Sequence, residues 1–407
     1  MRESLKVCCC IAGGGPAGLM LGYLLARAGV DVLVLEKHLD FLRDFRGDTI
    51  HPSTLTVLHD LGLLDAFLAL PHQEVPELTA DVYGECITIA DFTHLDAPHP
   101  ALVLIPQWDF LDFIARQARE LPNFTLRMGA KATGLIERDA RVVGVQVETA
   151  SGILEVQADL VVAADGRHST LRPSAGLASQ DLGAPIDVLW FRLPRDAATD
   201  DAQTGGHVRS GAFLVTLNRD SYWQCAYVIP KGGFDALREA GLEAFRHKVR
   251  AVVPHLAAAV ATLPSWDEVK LLTVQVSRMP RWHREGLLCI GDAAHAMSPV
   301  GGVGINLAIQ DAVAASNLLA APLRERRLVE ADLAALQRRR EWPARVTQRA
   351  QIVVQNRLLA PVLAGAPPGD GLPWPLKLLQ RFPRLRRIPA RLVGIGVRPE
   401  RVRTRPA

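Results

Sequence analysis

The sequence predicts an α/β fold: a parallel sheet with helices, an inserted antiparallel sheet, and further helices towards the C-terminal end. Two observations carry this prediction. Short apolar runs of strand length are followed by glycine-containing turns and then by helical periodicity near residues 7–35, 160–172 and 287–319. Residues 186–230 instead hold segments rich in aromatic and β-branched residues, which are typical of antiparallel strands. A chain of 407 residues is long enough for both units.

The first predicted element is a strand that runs into a glycine-rich turn. Residues 7–12 are apolar, and residues 13–18 have the spacing GxGxxG. Pro16 suits the first turn of a helix, where a missing N–H costs nothing. After that helix, residues 30–35 form a second buried strand that ends at Glu36.

Each position in this unit has a chemical reason that points to a dinucleotide. Gly13 permits the tight turn, Gly15 lets the backbone approach a pyrophosphate, and Gly18 lets helix and strand pack closely. The helix N-terminus offers free N–H groups to phosphate oxygens. Glu36 is placed to accept hydrogen bonds from a ribose.

Three adjacent cysteines at residues 8–10 raise two other interpretations, a metal site and a membrane or signal segment. Neighbouring strand residues point to opposite faces, so these thiols cannot converge on one metal, and the sequence has no CxxC pair. Residues 7–26 carry no charge, but the glycines and Pro16 interrupt the run. We therefore expect buried cysteines in a reducing compartment, with a cytoplasmic location.

Two later stretches repeat the pattern of a buried strand followed by a polar turn. One ends at Asp165 and Gly166, and the other ends at Gly291 and Asp292. The second continues through glycines at residues 301–304 into a helix from about residue 305. That arrangement exposes another helix N-terminus, whose dipole favours negative charge.

Together, the three motifs resemble those of the para-hydroxybenzoate hydroxylase-like FAD monooxygenases, the group A flavoprotein hydroxylases. The GxGxxG unit with Glu36 corresponds to the ADP-binding fingerprint of this family, residues 165–166 to its DG motif, and residues 291–292 to its GD motif. The similarity spans roughly residues 5–345. The resemblance implies a Rossmann-like FAD-binding domain of the glutathione reductase type. It implies the following cofactor-binding residues: Gly13, Gly15, Pro16, Ala17, Gly18, Glu36, Lys37, Arg46, Gln107, Asp165, Gly291, Asp292, Pro299, Gly302, Gly304, Ile305 and Asn306.

Two of these assignments have alternatives. Arg46 resembles the arginine that the family places beside the flavin, although a surface ion pair with Asp44 or Asp48 explains it as well. Gln107 stands where the family has an arginine at the start of a helix, and it retains hydrogen-bonding capacity towards the cofactor.

The predicted FAD-binding domain is discontinuous, with residues 1–75, 101–180 and 270–345. The predicted substrate-binding β-sheet domain has residues 76–100 and 181–269, and residues 346–407 form a C-terminal helical region with a basic tail. Pro343 is expected to begin a further helix. Five aromatic residues either line a pocket or belong to the ordinary core of the second sheet: Trp190, Phe213, Tyr222, Trp223 and Tyr227.

The resemblance also implies the reaction. NAD(P)H reduces FAD, the reduced flavin forms a C4a-hydroperoxide with O2, and one oxygen atom passes to an aromatic or polyketide-like substrate. The cofactor supplies the chemistry while the protein orients it and excludes water. The catalytic side chain stays open: His51 and His295 are the nearest candidates, and each is also explained as a hydrogen-bonded structural residue. No metal is expected.

Four other functions remain as alternatives. A flavin-dependent halogenase shares the fold, but the stretch CAYVIP at residues 225–230 keeps only the final Ile-Pro of the W-x-W-x-I-P stretch in that family. A reductase of isoprenoid double bonds has the same fold. A flavin-binding protein without turnover and a plain NAD(P) dehydrogenase complete the set, and the GD segment disfavours the last.

The charge is unevenly distributed. Residues 381–407 hold nine arginines and one acid, Glu400, so the rest of the chain is net negative although the whole carries +3. The acidic body disfavours a nucleic-acid groove. The basic tail is explained by a solvated end, a cap on the fold, a homodimer contact or a membrane contact, and no integral membrane segment is expected.

Overall fold

The computed structural model describes residues 3–42, 49–196, 204–219, 221–365 and 373–407. Its strands in chain order are β1 (Glu3–Ala12), β2 (Val32–Leu35), β3 (Thr49–Ile50), β4 (Gln73–Val75), β5 (Glu77–Val82), β6 (Glu85–Asp91), β7 (Leu102–Leu104), β8 (Phe124–Arg127), β9 (Lys131–Arg138), β10 (Arg141–Thr149), β11 (Gly152–Ala163), β12 (Gln180–Asp181), β13 (Ile186–Pro194), β14 (Gly205–Arg209), β15 (Ala212–Asn218), β16 (Tyr222–Pro230), β17 (Lys270–Leu272), β18 (Ser277–Arg278), β19 (His283–Arg284) and β20 (Leu287–Cys289).

The α-helices of the same residues are α1 (Pro16–Arg27), α2 (Pro52–Asp60), α3 (Leu64–Leu68), α4 (Gln107–Arg119), α5 (Leu171–Ser174), α6 (Phe234–Glu239), α7 (Leu242–Val252), α8 (Ala257–Ala261), α9 (Gly304–Arg324), α10 (Glu330–Val354), α11 (Ala360–Leu363), α12 (Trp374–Arg381) and α13 (Arg387–Gly394). A single π-helical turn, Gln355–Leu359, joins α10 to α11.

The first large sheet places the predicted motifs at one edge. β1 lies between β11 and β2, and β20 and β8 extend this parallel part on either side. β9, β10 and the first half of β11 form an antiparallel extension. Because parallel strands end at the same edge of a sheet, the turns after β1, β11 and β20 leave it side by side. Those turns are residues 13–18, 165–166 and 291–292.

The two faces of this sheet bury separate cores, and the cysteine run shows the alternation. Cys9 packs in the core under α1, α4 and α9, whereas Cys10 packs in the opposite core beside Trp282. Both are fully buried, and burial raises the pKa of both thiols. This confirms their prediction as small buried hydrophobic residues, while Cys8 is only partly buried.

One helical stretch among the described residues, Val300–Arg324, is long and apolar enough to cross a membrane by length and composition. It contains α9, and 72% of its most apolar window is buried inside the protein. Its buried residues belong to the same core as α1. The stretch is therefore accounted for as a helix buried in the core beside α1.

The second large sheet has the strand order β17-β13-β16-β15-β14-β5-β6. Its pairs are antiparallel except for β14 and β5, which run parallel. The second sheet is the antiparallel sheet that the sequence predicts, with one parallel pair where β5, from an earlier stretch of the chain, lies beside β14 in the same direction. β17 also pairs with β13, although residues 270–272 lie just past the predicted boundary at 269. All the domain boundaries stay predictions.

The helix α10 differs from the sequence-based expectation. It begins at Glu330, where the Asp332 carboxylate accepts a hydrogen bond from the N–H of Val329, and it continues through Pro343. Proline removes one helical hydrogen bond, which is why the sequence favoured a helix start there. Burial of Leu333, Leu336 and other residues against both cores outweighs that loss.

Candidate active site

The glycine turn after β1 and the DG turn after β11 touch each other. A Cβ at Gly13, where φ is +112°, would lie 2.3 Å from the carbonyl oxygen of Ala164. A Cβ at Gly18 would lie 1.9 Å from the carbonyl oxygen of Gly13. Neither position has room for a side chain, so close backbone contact joins the turn, α1 and the end of β11.

Gly15 differs from its neighbours because no other described residue fills the space beside it. Within the described parts of the chain, a Cβ there would find no heavy atom within 4 Å. The first N–H groups of α1, which begins at Pro16, adjoin this open space. Glu36, buried at the end of β2, accepts hydrogen bonds from the backbone N–H of Gly14 and His38, both at 3.0 Å. The exposed Lys37 follows it.

The DG and GD turns are joined by a polar contact that the sequence did not reveal. Arg167 Nη2 lies 3.5 Å from Asp292 Oδ2. Asp165 stabilises the loop at residues 165–171. Its Oδ2 accepts hydrogen bonds from the N–H groups of Thr170 at 2.8 Å and Leu171 at 3.2 Å. Its Oδ1 is buried and has no hydrogen-bond partner among the described residues.

Gly291 brings α1 and α9 together. Its Cβ would lie 3.2 Å from that of Ala17 and 3.3 Å from that of Ala308. Its N–H donates to Asp311 Oδ2 at 3.1 Å. The GD turn thus sits between the N-terminal ends of both helices.

The loop before α9 is shaped by two glycines and held by three glutamines of the adjoining helical segment. Gly301 and Gly302 have φ values of +78° and +62°, which favour glycine, and α9 begins at Gly304. Three glutamine side chains bond to residues 277–300 from one side: Gln348 to the carbonyls of Ser277 and Ala296, Gln351 to those of Ser298 and Val300, and Gln355 to the Ser298 hydroxyl. Their spacing of three and four residues along the helix was the signal available in the sequence.

The Asn306 side chain fastens this loop to the segment before α2. Its Oδ1 accepts hydrogen bonds from the His51 N–H at 2.9 Å and the Thr54 hydroxyl at 2.7 Å. Its Nδ2 donates to the carbonyls of Thr49 and Gly302. The side chain of Asn306 is therefore structural, and only its backbone remains for a cofactor.

The comparison with known proteins identifies the family and its cofactor. Residues 5–350 match the family described as the FAD binding domain. This chain belongs to that family.

Its FAD-binding relatives include several monooxygenases. The chain is 35% identical over 400 residues to 6-methylpretetramide 4-monooxygenase of Streptomyces rimosus, a match that covers 97% of this chain and 94% of the relative. It is 30% identical over 310 residues to rifampicin monooxygenase of Streptomyces venezuelae, covering 74% of this chain and 61% of that longer protein. The chain is a FAD-dependent monooxygenase.

Solved structures share the fold. An anhydrotetracycline hydroxylase from Streptomyces rimosus superposes with a TM-score of 0.75 at 23% identity, covering 97% of this chain and 77% of that one. A flavin-dependent brominase reaches 0.77 at 18% identity, covering 97% and 94%. These similarities confirm the mixed α/β architecture of the FAD monooxygenases.

The described residues fit FAD. Among the described residues, the space beside Gly15 is open to a bound group, and Asp165 Oδ1, in the turn that contacts Gly13, is a buried acceptor without a hydrogen-bond partner. Asp292 is one-third exposed at the end of β20, so its carboxylate is accessible to hydroxyl groups. Pro299 and the buried Ile305 flank the glycine loop. Gln107 begins α4 and is half-buried, whereas Arg46 lies outside the described residues.

Both candidate histidines have hydrogen-bond partners within the protein. His295 is buried, and its Nε2 lies 2.6 Å from Asp311 Oδ2 within a buried charge cluster. His51 Nδ1 donates to the carbonyl of Val393 at 2.7 Å, which leaves the Nε2 lone pair beside Gly302. Burial lowers the pKa of His51 to about 4, so His51 is neutral near pH 7.

The inner face of the second sheet meets the glycine loop. Val188, Trp190, Phe213 and Ala226 belong to an apolar cluster that includes Val300 of that loop. Trp223 and Tyr227 lie on the other face, where Tyr227 packs edge-on against Phe245 of α7 at 5.5 Å. The guanidinium of Arg192 lies over the ring of the half-buried Tyr222, 4.7 Å from its centroid. Of the two alternatives, the ordinary core therefore applies to Trp223 and Tyr227.

Proposed function

We propose that this protein hydroxylates a fused-ring aromatic polyketide, with NAD(P)H as electron donor and O2 as oxygen donor. The observation that carries the proposal is the end-to-end match to an enzyme named for 6-methylpretetramide. The apolar inner face around Trp190 and Phe213 supports it, because a flat aromatic substrate is held by apolar and aromatic contacts.

We assign the cofactor contacts as follows. The backbone of residues 13–18 would bind the pyrophosphate, Glu36 the adenosine ribose, and Asp292 the ribityl chain, with Gln107 and Arg46 as further polar contacts. The backbone N–H groups at residues 302–306 would face the flavin ring. Bound FAD supplies the redox chemistry, taking electrons from NAD(P)H and delivering one oxygen atom of O2 to the substrate.

In this proposal the protein itself orients the cofactor and keeps water out of the site. The glycine loop presents N–H groups without side chains, and the glutamines of α10 fix its carbonyls on the other side. Val300 and the sheet residues above it form an apolar boundary that excludes water. In this proposal the nicotinamide binds transiently, the protein works in the cytoplasm, and a homodimer is compatible with the fold.

The test begins with the visible spectrum of the purified protein. NADPH and NADH are then added anaerobically in the presence of 6-methylpretetramide, simple phenols or no aromatic compound. We expect faster flavin bleaching with the polycycle and, after isotopically labelled O2 is admitted, one labelled oxygen in the product. Bleaching stimulated only by simple phenols would reject the polyketide assignment, and halogenated product in the presence of bromide would support the halogenase alternative.

Asp292→Ala tests the proposed ribityl contact. We expect the purified variant to lose most of its bound FAD, because the carboxylate that would accept from the ribityl hydroxyls is gone. Asp235→Ala, at an exposed position of α6, is the matched control and should keep its flavin. Equal flavin content in the two variants would remove Asp292 from the site.

A further inference from the structure

The helices α12 and α13 carry an outward surface that the monooxygenase reaction does not use. We call it the basic–apolar face and define it by its apolar members, with their exposed fractions: Trp374 (76%), Leu378 (40%), Phe382 (53%), Ile388 (58%) and Leu392 (55%). Isolated exposed apolar residues are ordinary on a protein surface. Five large ones within 19 residues form a patch that calls for an explanation.

Cations alternate with these side chains in a regular way. Four times a basic residue directly precedes an exposed apolar one: Lys377–Leu378, Arg381–Phe382, Arg387–Ile388 and Arg391–Leu392. Neighbouring positions of a helix are about 100° apart, so each helix presents a basic stripe beside an apolar stripe. No acid occurs from residue 371 to residue 399.

The opposite sides of the same helices are anchored to the protein. Leu376 packs on Ala80 and Val82 of β5, and Ala390 lies in the core beside β6. Val393 accepts the hydrogen bond from His51 described above. The basic–apolar face is therefore already exposed in the folded protein.

We propose that the basic–apolar face docks the protein onto the surface of an anionic lipid bilayer. Helices that lie in a membrane interface combine Trp, Phe and Leu on one side with Lys and Arg next to them. A second copy of the chain fits less well, because a two-fold axis would bring the same arginines against each other. A nucleic acid would use the charge but leave the apolar side chains in water, and the rest of the chain is net negative.

Docking would also place the proposed substrate-binding side of the second sheet near the bilayer. Val393 of α13 and Trp190 of the inner sheet face belong to one apolar cluster, so the docked helices lie next to the proposed substrate side. Apolar polycycles partition into membranes, and this arrangement would draw substrate from that phase. The docking itself does not depend on the identity of the substrate.

The experiment measures sedimentation of the FAD-loaded full-length chain with vesicles. Vesicles of phosphatidylcholine alone are compared with equal mixtures of phosphatidylcholine and phosphatidylglycerol. We expect binding to the mixed vesicles that weakens with added salt, and about fivefold weaker partitioning for each cation removed in Arg381→Gln and Arg387→Gln.

Two further variants separate the apolar contribution from general effects of substitution. Phe382→Ser with Ile388→Ser should abolish most binding, whereas the control pair Ile153→Ser and Val329→Ser, at exposed positions elsewhere, should not change it. Flavin absorbance and thermal midpoint report that each variant is folded. Equal sedimentation of both pairs, or no binding to anionic vesicles, would overturn the proposal, as would a dimer that only the Phe382 and Ile388 changes dissociate.

Discussion

Gly15 and Gly18 stand three residues apart and lack side chains for opposite reasons. At Gly18 the protein itself occupies the space, since a Cβ would meet the Gly13 carbonyl. At Gly15 none of the other residues that the structure describes occupies the space, and the backbone has ordinary extended angles of −78° and −176°. Substitution at Gly18 is therefore a test of folding, and substitution at Gly15 is a test of cofactor binding.

We predict that Gly15→Val folds and loses FAD, because its side chain enters the space assigned to the pyrophosphate. The measurement is flavin absorbance per protein after gel filtration, with circular dichroism as the measure of folding. Gly134→Ala, in β9 with its nearest atom at 3.7 Å, is the control and should retain the flavin. A Gly15→Val protein with full flavin content would show that the pyrophosphate lies elsewhere.

His51 gives the stability a dependence on pH. Burial lowers its pKa in the folded protein to about 4, against an ordinary value near 6.5. Its contribution is therefore fully present above pH 6.5 and is lost as the pH falls towards 4, amounting to about 3 kcal/mol. His207 behaves similarly, since burial and then the neighbouring His255 lower its pKa to about 4.

We expect His51→Gln to flatten the fall in the free energy of unfolding between pH 6.5 and 4. The measurement is urea unfolding of wild type and variant at several pH values. His207→Gln, unfolded in the same way, should also flatten the fall in the free energy of unfolding. The same pH slope in wild type and His51→Gln would mean that folding does not lower the pKa of His51.

At the scale of elements, the helix α10 supports the glycine loop through side chains that never reach the assigned cofactor contacts. Gln351 donates to two backbone carbonyls, and its Oε1 accepts from the N–H of Ser298 at 3.2 Å. Replacing it would leave three buried backbone groups without these partners, at a cost of about 1–3 kcal/mol for each unsatisfied group.

We predict that Gln351→Leu raises the dissociation constant for FAD and also lowers the thermal midpoint. Fluorescence titration of the deflavinated protein gives the first quantity, and calorimetry gives the second. Arg349→Leu, at an exposed position of the same helix, should change neither. A stability loss with unaltered FAD affinity would show that the loop keeps its shape without the glutamine.

At the scale of the whole molecule, a buried charge cluster links the GD turn to the tail. Asp311 lies between His295 and Arg340, and Arg340 Nη1 is 3.4 Å from Glu400 Oε1. Burial acts to raise the pKa of Asp311, but His295 and Arg340 together hold it below its ordinary value. Arg339, which is partly exposed, pairs with Glu400 at 2.7 Å from outside the cluster.

Arg340→Met should destabilise the protein by about 3–5 kcal/mol, because it leaves two buried carboxylates without their shared cation. Arg339→Met should cost less, since Glu400 retains Arg340. The thermal midpoints of the two variants measure the difference. Similar losses for both would indicate that water compensates the buried carboxylates.

The sequence predicted the parts of the site that are local in the chain. The strand, turn and helix around Gly15 and the turns at Asp165 and Asp292 each follow from a few consecutive residues. The orientation of Trp223 and Tyr227 was not predictable, because a strand with apolar residues on both faces does not show which face meets the cofactor. The parallel pairing of β5 with β14 and the link from Asp311 through Arg340 to Glu400 join distant stretches, and no periodicity marks them.

The position of Glu400 in the chain has a consequence for biosynthesis. During translation Asp311 and Arg340 are synthesised well before Glu400. Until Glu400 is added, the nascent protein lacks one carboxylate of the cluster. The N–H of Glu400 also donates a hydrogen bond to Gln310 Oε1. Arg401 forms an ion pair with Asp60, with 2.5 Å between Nη2 and Oδ1. Domains commonly fold as they emerge during translation. Here the buried charge cluster is complete only once Glu400 can reach Arg340.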